Sequence, residues 1–429
     1  MAISALSGTW TIGDSGWPWP QIFFTENRVL AVAVDESDLS LYKLVNDSDT
    51  WTATKLGRLG YLTRIDVVDI ASFDKYVIVT VSGTYNSAPW KSIFHIPPGT
   101  DSLDIFADAP RGSSCCNYKN QLIIGGLRSG QAPWETLGEC AIAWGGIGNA
   151  EMNPANDQNA GFVKMPWDSH GDGKVYKVRR LGNSLRVYGN KGIATMLPYI
   201  HEHATGFGLD VSIFTGILSE SAMAGDHIVH GYLDNNYDFW VVTEKEIRRL
   251  GYRPFMKQLT NGRIQVSYEP QNHRFYISDG SLTFVIVAEG MYSTHQVVSS
   301  IGVFNGILCG FTKLGSDAKI RLVTTPTNMG YSALKSIEGV ETGAEYLTDA
   351  DEHLKIALST RYNYKNDYLN TGYVVLNERG ILTKRVTGRD FKIHLEGAYD
   401  SAGTFRLEFL KAAVQFSDKR SIRGRINVT

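Results

Sequence analysis

The sequence predicts an all-β chain: a β-propeller of five to seven blades over residues 1–325, then a small β-sandwich-like domain over 326–429. Three observations predict this. Apolar residues alternate with a period of two, the pattern of strands that bury one face. Convincing helical periodicity is nearly absent. One strand-opening pattern, a polar turn carrying Asn or Asp before an apolar run, returns seven times.

The strands follow in order. "VLAVAVDESDLSLYKL" reads as two strands joined at Asp35 to Asp38, and "YVIVTVSG", "QLIIGG", "YDFWVVTE", "RFYISDGSLTFVIV" and "GILCGF" are further strands. "SALKSIEGV" and "VTEKEIRRLG" are the two stretches with room for a helical turn or two. The seven openings centre on Asn27, Asp74, Asn120, Asn183, Asn235, Asn272 and Asn305. Asn and Asp suit them because their side chains bond the nearby backbone and tolerate left-handed geometry. The intervals are 47, 46, 63, 52, 37 and 33 residues, against roughly 40–50 for a four-stranded blade. The third interval leaves room for an insertion, and the last two are short. A sandwich is the rival architecture, because the spacing is uneven and no Trp-Asp dipeptide marks the blades. After residue 326 "TPTNMGYSALKSIEG" reads as a connection. "HLKIALSTRYN", "GYVVLNERG", "DFKIHLEGAY" and "TFRLEFLKAAVQFSD" then supply strands of the second domain, which ends in the basic "DKRSIRGRINVT".

Composition is that of a globular chain, 43% hydrophobic and 20% charged, with 43 Gly for tight turns. A formal net charge of −2 gives no global attraction to nucleic acid or membrane. Cys115, Cys116, Cys140 and Cys309 have no zinc spacing and read as reduced thiols of a protein assembled in a cytoplasm. "MAISALSGTWTIG" lacks the basic-then-apolar plan of a secretory signal. No apolar run approaches the ~20 residues of a membrane span, so no membrane anchor is expected.

Chemistry is less legible. No nucleophile elbow, phosphate loop, dinucleotide fingerprint or sialidase-type Asp box is present. His201 and His203 would share a strand face, with Asp210 or His227 as a third metal ligand, but two His in a polar loop are usually solvated. No metal, cofactor or catalytic residue is assigned, and the chain is expected not to be an enzyme. From Lys174 to Lys191 the basic residues Lys174, Lys177, Arg179, Arg180, Arg186 and Lys191 occur without an acid. They are candidates for a nucleic-acid or partner contact, or for a solvated strand paired with an acidic neighbour. The Asn- and Gly-rich stretch 143–175 carries Trp144, Phe162, Met165 and Trp167. These either form a protein interface or pin the loop to its own propeller.

On "NSLRVYGNKGIATML", "YEPQNHRFYISDGSLTFVIV" and the C-terminal "GTFRLEFLKAAVQFSD", the chain resembles the β-propeller tail-hub or nozzle proteins of short-tailed bacteriophages, also called tail accessory or DNA-stabilisation proteins. The resemblance implies a structural virion protein of the tail, built in the host cytoplasm as a hexameric ring below the portal and adaptor. Its partners would be adaptor, fibre or tailspike proteins, with genomic DNA passing through a central conduit. The alternative reading is a propeller glycoside hydrolase or lyase acting on bacterial surface polysaccharide, which needs an acidic pair in a funnel at one end of the propeller. A propeller lectin or scaffold ranks third, since no Trp recurs at the seven openings.

Overall fold

A polar turn followed by an apolar run opens the inner hairpin of the second to sixth blades, and stacking of blades about an axis gives the larger unit its architecture. The computed structural model describes residues 4–5, 21–25, 28–47, 50–134, 136–167, 171–201, 204–260, 263–288, 290–294, 296–304, 307–314, 319–324, 334–346, 355–363, 367–375, 381–382, 384–398 and 405–416. The chain divides into two compact units. One comprises Ile3–Glu289 and Val297–Lys313; the other holds Gly290–Gln296 and Leu314–Thr429 together with the first two residues.

The larger unit is a β-propeller. Five antiparallel four-stranded sheets follow one another along the chain, each meandering from its first strand outward. Their first strands are Gln21–Phe24, Ile65–Phe73, Ser114–Tyr118, Val175–Leu181 and Met223–Gly225. A sixth blade contributes Gln265–Glu269, Arg274–Ser278 and Thr283–Val287. The seventh pairs Gln296–Phe304 with Ile307–Leu314 and adds the N-terminal Ser4–Ala5 in parallel. The ring closes between seventh and first blades, where Ser300 Oγ donates to the Ile22 carbonyl at 2.7 Å. Gly302 lies so close to the Phe24 ring that a Cβ there would overlap it. The described residues thus give seven blades, the upper end of the expected range.

Position within the ring explains the sequence texture. The second strands, such as Val29–Asp35, Gln121–Gly125 and Ser184–Gly189, are buried on both faces, because each blade is covered by two neighbours. Their sequences are accordingly near-continuous apolar runs. Between blades, aromatic pairs meet edge-on or tilted: Trp144 with Phe207 at 4.9 Å, Tyr188 with Tyr232 at 5.7 Å, and Phe239 with Phe275 at 5.5 Å. Such pairs add about 0.5–1.5 kcal/mol each beyond their buried area. Buried His230 bridges the fourth and fifth blades: its Nδ1 accepts from Tyr188 Oη at 2.7 Å and its Nε2 donates to the Arg180 carbonyl at 3.1 Å. Burial holds it neutral, with its pKa lowered to about 3.

The turn signal worked at four of the five openings that can be placed. Asp74 (φ +50°), Asn120 (φ +61°), Gly182–Asn183 (Gly182 φ +56°) and Asn272–His273 (His273 φ +52°) all join first to second strands. Asn27 and Asn305 lie outside the described residues. Asn235 instead joins the second and third strands of the fifth blade. The true opening of that blade is Asp226, whose Oδ1 accepts from the Ile228 and Val229 amides at 2.8 and 3.0 Å. With Asp226 substituted, the intervals 183 to 226 and 226 to 272 become 43 and 46 residues, and the unevenness of the middle blades disappears. The long third interval is real: it holds the connections 126–140 and 145–160 of the third blade.

Two helix expectations are corrected. "SALKSIEGV" enters the strand Lys335–Tyr346, and "VTEKEIRRLG" contains the edge strand Ile247–Arg249. In both, pairing to a neighbouring strand overrides local propensity. Among the described residues the one α-helical turn is Arg253–Met256, opened by Pro254.

The second unit is sandwich-like. One of its sheets contains Gly290–Thr294, Lys319–Val323, Asp390–Ala398 and Lys355–Arg361; the other contains Lys335–Tyr346, Val386–Gly388 and Phe405–Phe416. Ile337 and Val340 from one sheet share a core with Ile356, Leu358 and Phe391 from the other. The terminal basic stretch 418–429 lies outside the described residues. Cys115, Cys116 and Cys140 are buried. Among the described residues no helix is long and apolar enough to cross a membrane.

Candidate active site on the propeller axis

The first strands of the blades converge on the axis, so polar residues placed there meet although they are far apart in sequence. Two adjoining cavities result, of about 230 and 160 Å³, and both are lined by Asp66, Val67, Ser221 and Arg263.

The inner cavity is organised by Asp69, which is 1% exposed. Its Oδ2 accepts from Ser114 Oγ at 2.6 Å, the Cys115 amide at 3.1 Å and Arg179 Nη1 at 2.9 Å. Its Oδ1 faces Arg179 Nη2 and, at 3.2 Å, Lys177 Nζ. Ser114 Oγ in turn accepts from the Val178 amide at 3.1 Å. Three blades are thereby tied at one carboxylate. Burial alone would raise the Asp69 pKa, but Arg179 and Lys177 outweigh it and hold the carboxyl well below its usual range. Lys177 is pulled down by burial in spite of Asp69.

The outer cavity has a different character. Glu139 is held by Lys91 Nζ at 2.9 Å and Lys174 Nζ at 3.1 Å. Lys91 is buried and also donates to the Gly126 carbonyl at 2.7 Å. Burial raises the Glu139 pKa, yet the two lysines leave it lowered. Glu220 lines the same cavity, half-buried, and takes no hydrogen bond or ion pair among the described residues. Tyr176 stands by both carboxylates: burial, then Glu220 and Glu139, push its pKa up to about 12. Asp66 pairs with Arg263 where the cavities join. Three carboxyl groups thus share one cavity: Glu139 fixed as an anion by its lysines, Asp66 paired with Arg263, and Glu220.

The expected contact residues do not form one surface. Lys177 and Arg179 turn inward to Asp69, Lys174 pairs with Glu139, and Lys191 pairs with Asp172. Arg180 Nε donates to the Gly182 carbonyl at 3.0 Å, and Arg186 is buried against Thr195. Four of the six thus pair with acids, Asp69 and Glu139 from distant segments and Asp172 from close by. In the Asn-rich stretch, Trp144 and Met165 are buried in the core between the third and fourth blades, and Trp167 packs over Gly189 and Gly192. Phe162 alone of the four is exposed, at 43%. His201 ends the strand Ile193–His201, Asp210 pairs with Thr195 farther along that hairpin, and His227 belongs to the next blade. His203 lies outside the described residues.

Asp66, Asp69, Glu139, Glu220 and Arg263 went unread in the sequence because they come from four separate segments and none sits in a motif. The available signal was Asp66 and Asp69 in "RIDVVDIASF", acids at the start of an otherwise apolar inner strand.

No known family model and no curated protein matches the chain. Solved structures similar to it include an exo-β-1,3-galactanase of Phanerochaete chrysosporium, at 10% identity over 92% of this chain and 95% of that one, with a TM-score of 0.28. A glycoside hydrolase family 43 arabinoxylan arabinofuranohydrolase of Bacillus subtilis is similar at 9% identity over 92% and 79%, with a TM-score of 0.31. A Trypanosoma rangeli sialidase is similar at 8% over 92% and 90%, with a TM-score of 0.28. The expectation of a non-enzymatic chain is set aside here: the three similar structures named are enzymes, a property of those proteins. Lack of a local motif does not argue against catalysis when the polar groups converge from separate blades. At these scores the likeness assigns no residue a role.

Proposed function

We propose that the chain is a propeller glycoside hydrolase whose reaction takes place in the outer axial cavity. The observation that carries this reading is two glutamates in one cavity with Tyr176: Glu139, ion-paired with Lys91 and Lys174, and Glu220, which takes no hydrogen bond or ion pair among the described residues. Glycosidic cleavage needs a proton delivered to the leaving oxygen and negative charge beside the developing oxocarbenium ion. Glu220 is the proton donor in this scheme. Glu139 is the fixed anion that faces the anomeric carbon, pre-oriented by its lysines and so costing no reorganisation as charge develops. The hub of Asp69, Lys177 and Arg179 lines the adjoining cavity.

Incubating the full chain with a panel of purified bacterial surface polysaccharides tests the reading. New reducing ends, formed by the wild-type protein and not by a Glu139→Gln/Glu220→Gln double variant, are the expected result. Polymers that all keep their length at high protein concentration would remove it.

The tail-hub resemblance is kept as a separate proposal about assembly: a hexameric ring in a virion, contacting adaptor, fibre or tailspike proteins. The small β unit that follows the propeller supports it.

A further inference from the structure

We infer that the rim of the outer cavity carries an anion-recognition subsite centred on Arg64, and that the saccharide it takes is acidic, a uronate-bearing chain. The identity of the ligand rests on the glycosidase reading; the existence of the subsite does not.

Arg64 ends a 3-10 turn, Leu62–Arg64, directly before the inner strand of the second blade. Its guanidinium lies over two tyrosine rings, 3.6 Å from the centroid of Tyr85 and 4.7 Å from that of Tyr61. Arg58 lies over Tyr61 at 4.0 Å and extends the ladder. Arg58 is paired with Asp38 at 2.8 Å, whereas Arg64 has no acidic partner among the described residues. Both rings are well exposed, Tyr61 at 45% and Tyr85 at 42%.

The ladder is built rigidly and in the right place. Tyr85 and Ala88 flank a two-residue turn, Asn86 and Ser87, both with positive φ, the hairpin geometry that matches strand twist. Residues of that hairpin, Gly83, Thr84 and Pro89, line the outer cavity beside Glu139 and Glu220. Gly83 lacks a side chain where a Cβ would collide with the Arg64 carbonyl, so the turn carrying Arg64 is pressed against the cavity wall. A guanidinium held flat by aromatic stacking keeps its N–H edge free and loses little entropy when it forks onto a carboxylate. Flat tyrosine faces beside it offer contact to sugar rings at low entropic cost.

A uronate chain fits this better than a polynucleotide. Its charges sit on rings with broad neutral faces, and one carboxylate can reach Arg64 while the next ring enters the cavity. A continuous phosphate backbone would meet the three carboxylates Asp66, Glu139 and Glu220 of the same cavity.

The test measures binding of fragments of a polymer in which uronate alternates with a neutral sugar, neutral dextran and a single-stranded DNA oligomer to the full chain in a Glu220→Gln background, which keeps any substrate intact. The uronate polymer is expected to bind at least about tenfold more tightly than dextran, with that preference removed by Arg64→Gln and reduced by Tyr85→Ala. Both changes are at the surface, so circular dichroism should stay unchanged. Equal uronate binding after Arg64→Gln overturns the subsite, as does tighter Arg64-dependent binding of DNA. If the Arg64-dependent uronate preference is present but the wild-type protein cleaves nothing, the subsite stands and the hydrolase reading falls. If a neutral glycan is cleaved without need of Arg64, the reverse holds.

Discussion

Replacing Asp69 with alanine is expected to lower the unfolding free energy of the propeller by about 3–5 kcal/mol, the cost of leaving a buried ion without its partner. The magnitude follows from what remains. Lys177 is 8% exposed, Arg179 is three-quarters buried, and both would face each other without a carboxylate between them. Ser114 and the Cys115 amide would also lose their acceptor, so the second, third and fourth blades part at the axis. Urea unfolding followed by tryptophan fluorescence reads the change as a lower midpoint. Asp69→Asn separates the contributions, since it keeps an acceptor for Ser114 and removes the charge. The same hub sets an acid limit. The folded pKa of Asp69 lies below the unfolded value of about 3.9. Its stabilisation is therefore complete above about pH 4 and is lost as the pH falls through the folded value.

Replacing Glu220 with glutamine is expected to reduce the rate of glycosidic cleavage by about 10²–10⁴-fold with little effect on stability, the range for losing a general acid. Glu220 suits this test better than Glu139. It is half-buried and takes no ion pair among the described residues, so glutamine leaves no partner stranded. Glu139→Gln would leave the buried Lys91 with only the Gly126 carbonyl and would lower activity and stability together. Initial rates with matched unfolding curves distinguish the two: for Glu220→Gln the rate should fall while the curve stays in place. A Glu220→Gln variant of undiminished rate would remove Glu220 from the chemistry.

The architecture was legible because propeller physics writes itself locally. An inner hairpin needs a left-handed turn, so Asp74, Asn120, Asn183 and Asn272 announce their blades, and two-sided burial makes the second strands apolar throughout. The signal failed where a second turn in the same blade used the same chemistry, at Asn235, while Asp226 marked the true opening. The site was not legible for the opposite reason. Asp69 and Arg179 stand 110 positions apart, and only ring closure brings them together. The basic run 174–191 was conspicuous in sequence, yet four of its six charges are answered by Asp69, Glu139 and Asp172. The residues that matter most, Glu220 and Arg64, look ordinary until the blades stack.

The most direct measurement is a crystal structure of the Glu220→Gln protein soaked with an oligosaccharide fragment of a polysaccharide that it binds. The account predicts a sugar ring in the outer axial cavity, with its glycosidic oxygen within hydrogen-bond distance of residue 220 and its anomeric carbon facing Glu139. A saccharide seated on the outer edge of a blade, with the axial cavity holding only water at saturating ligand, would contradict it.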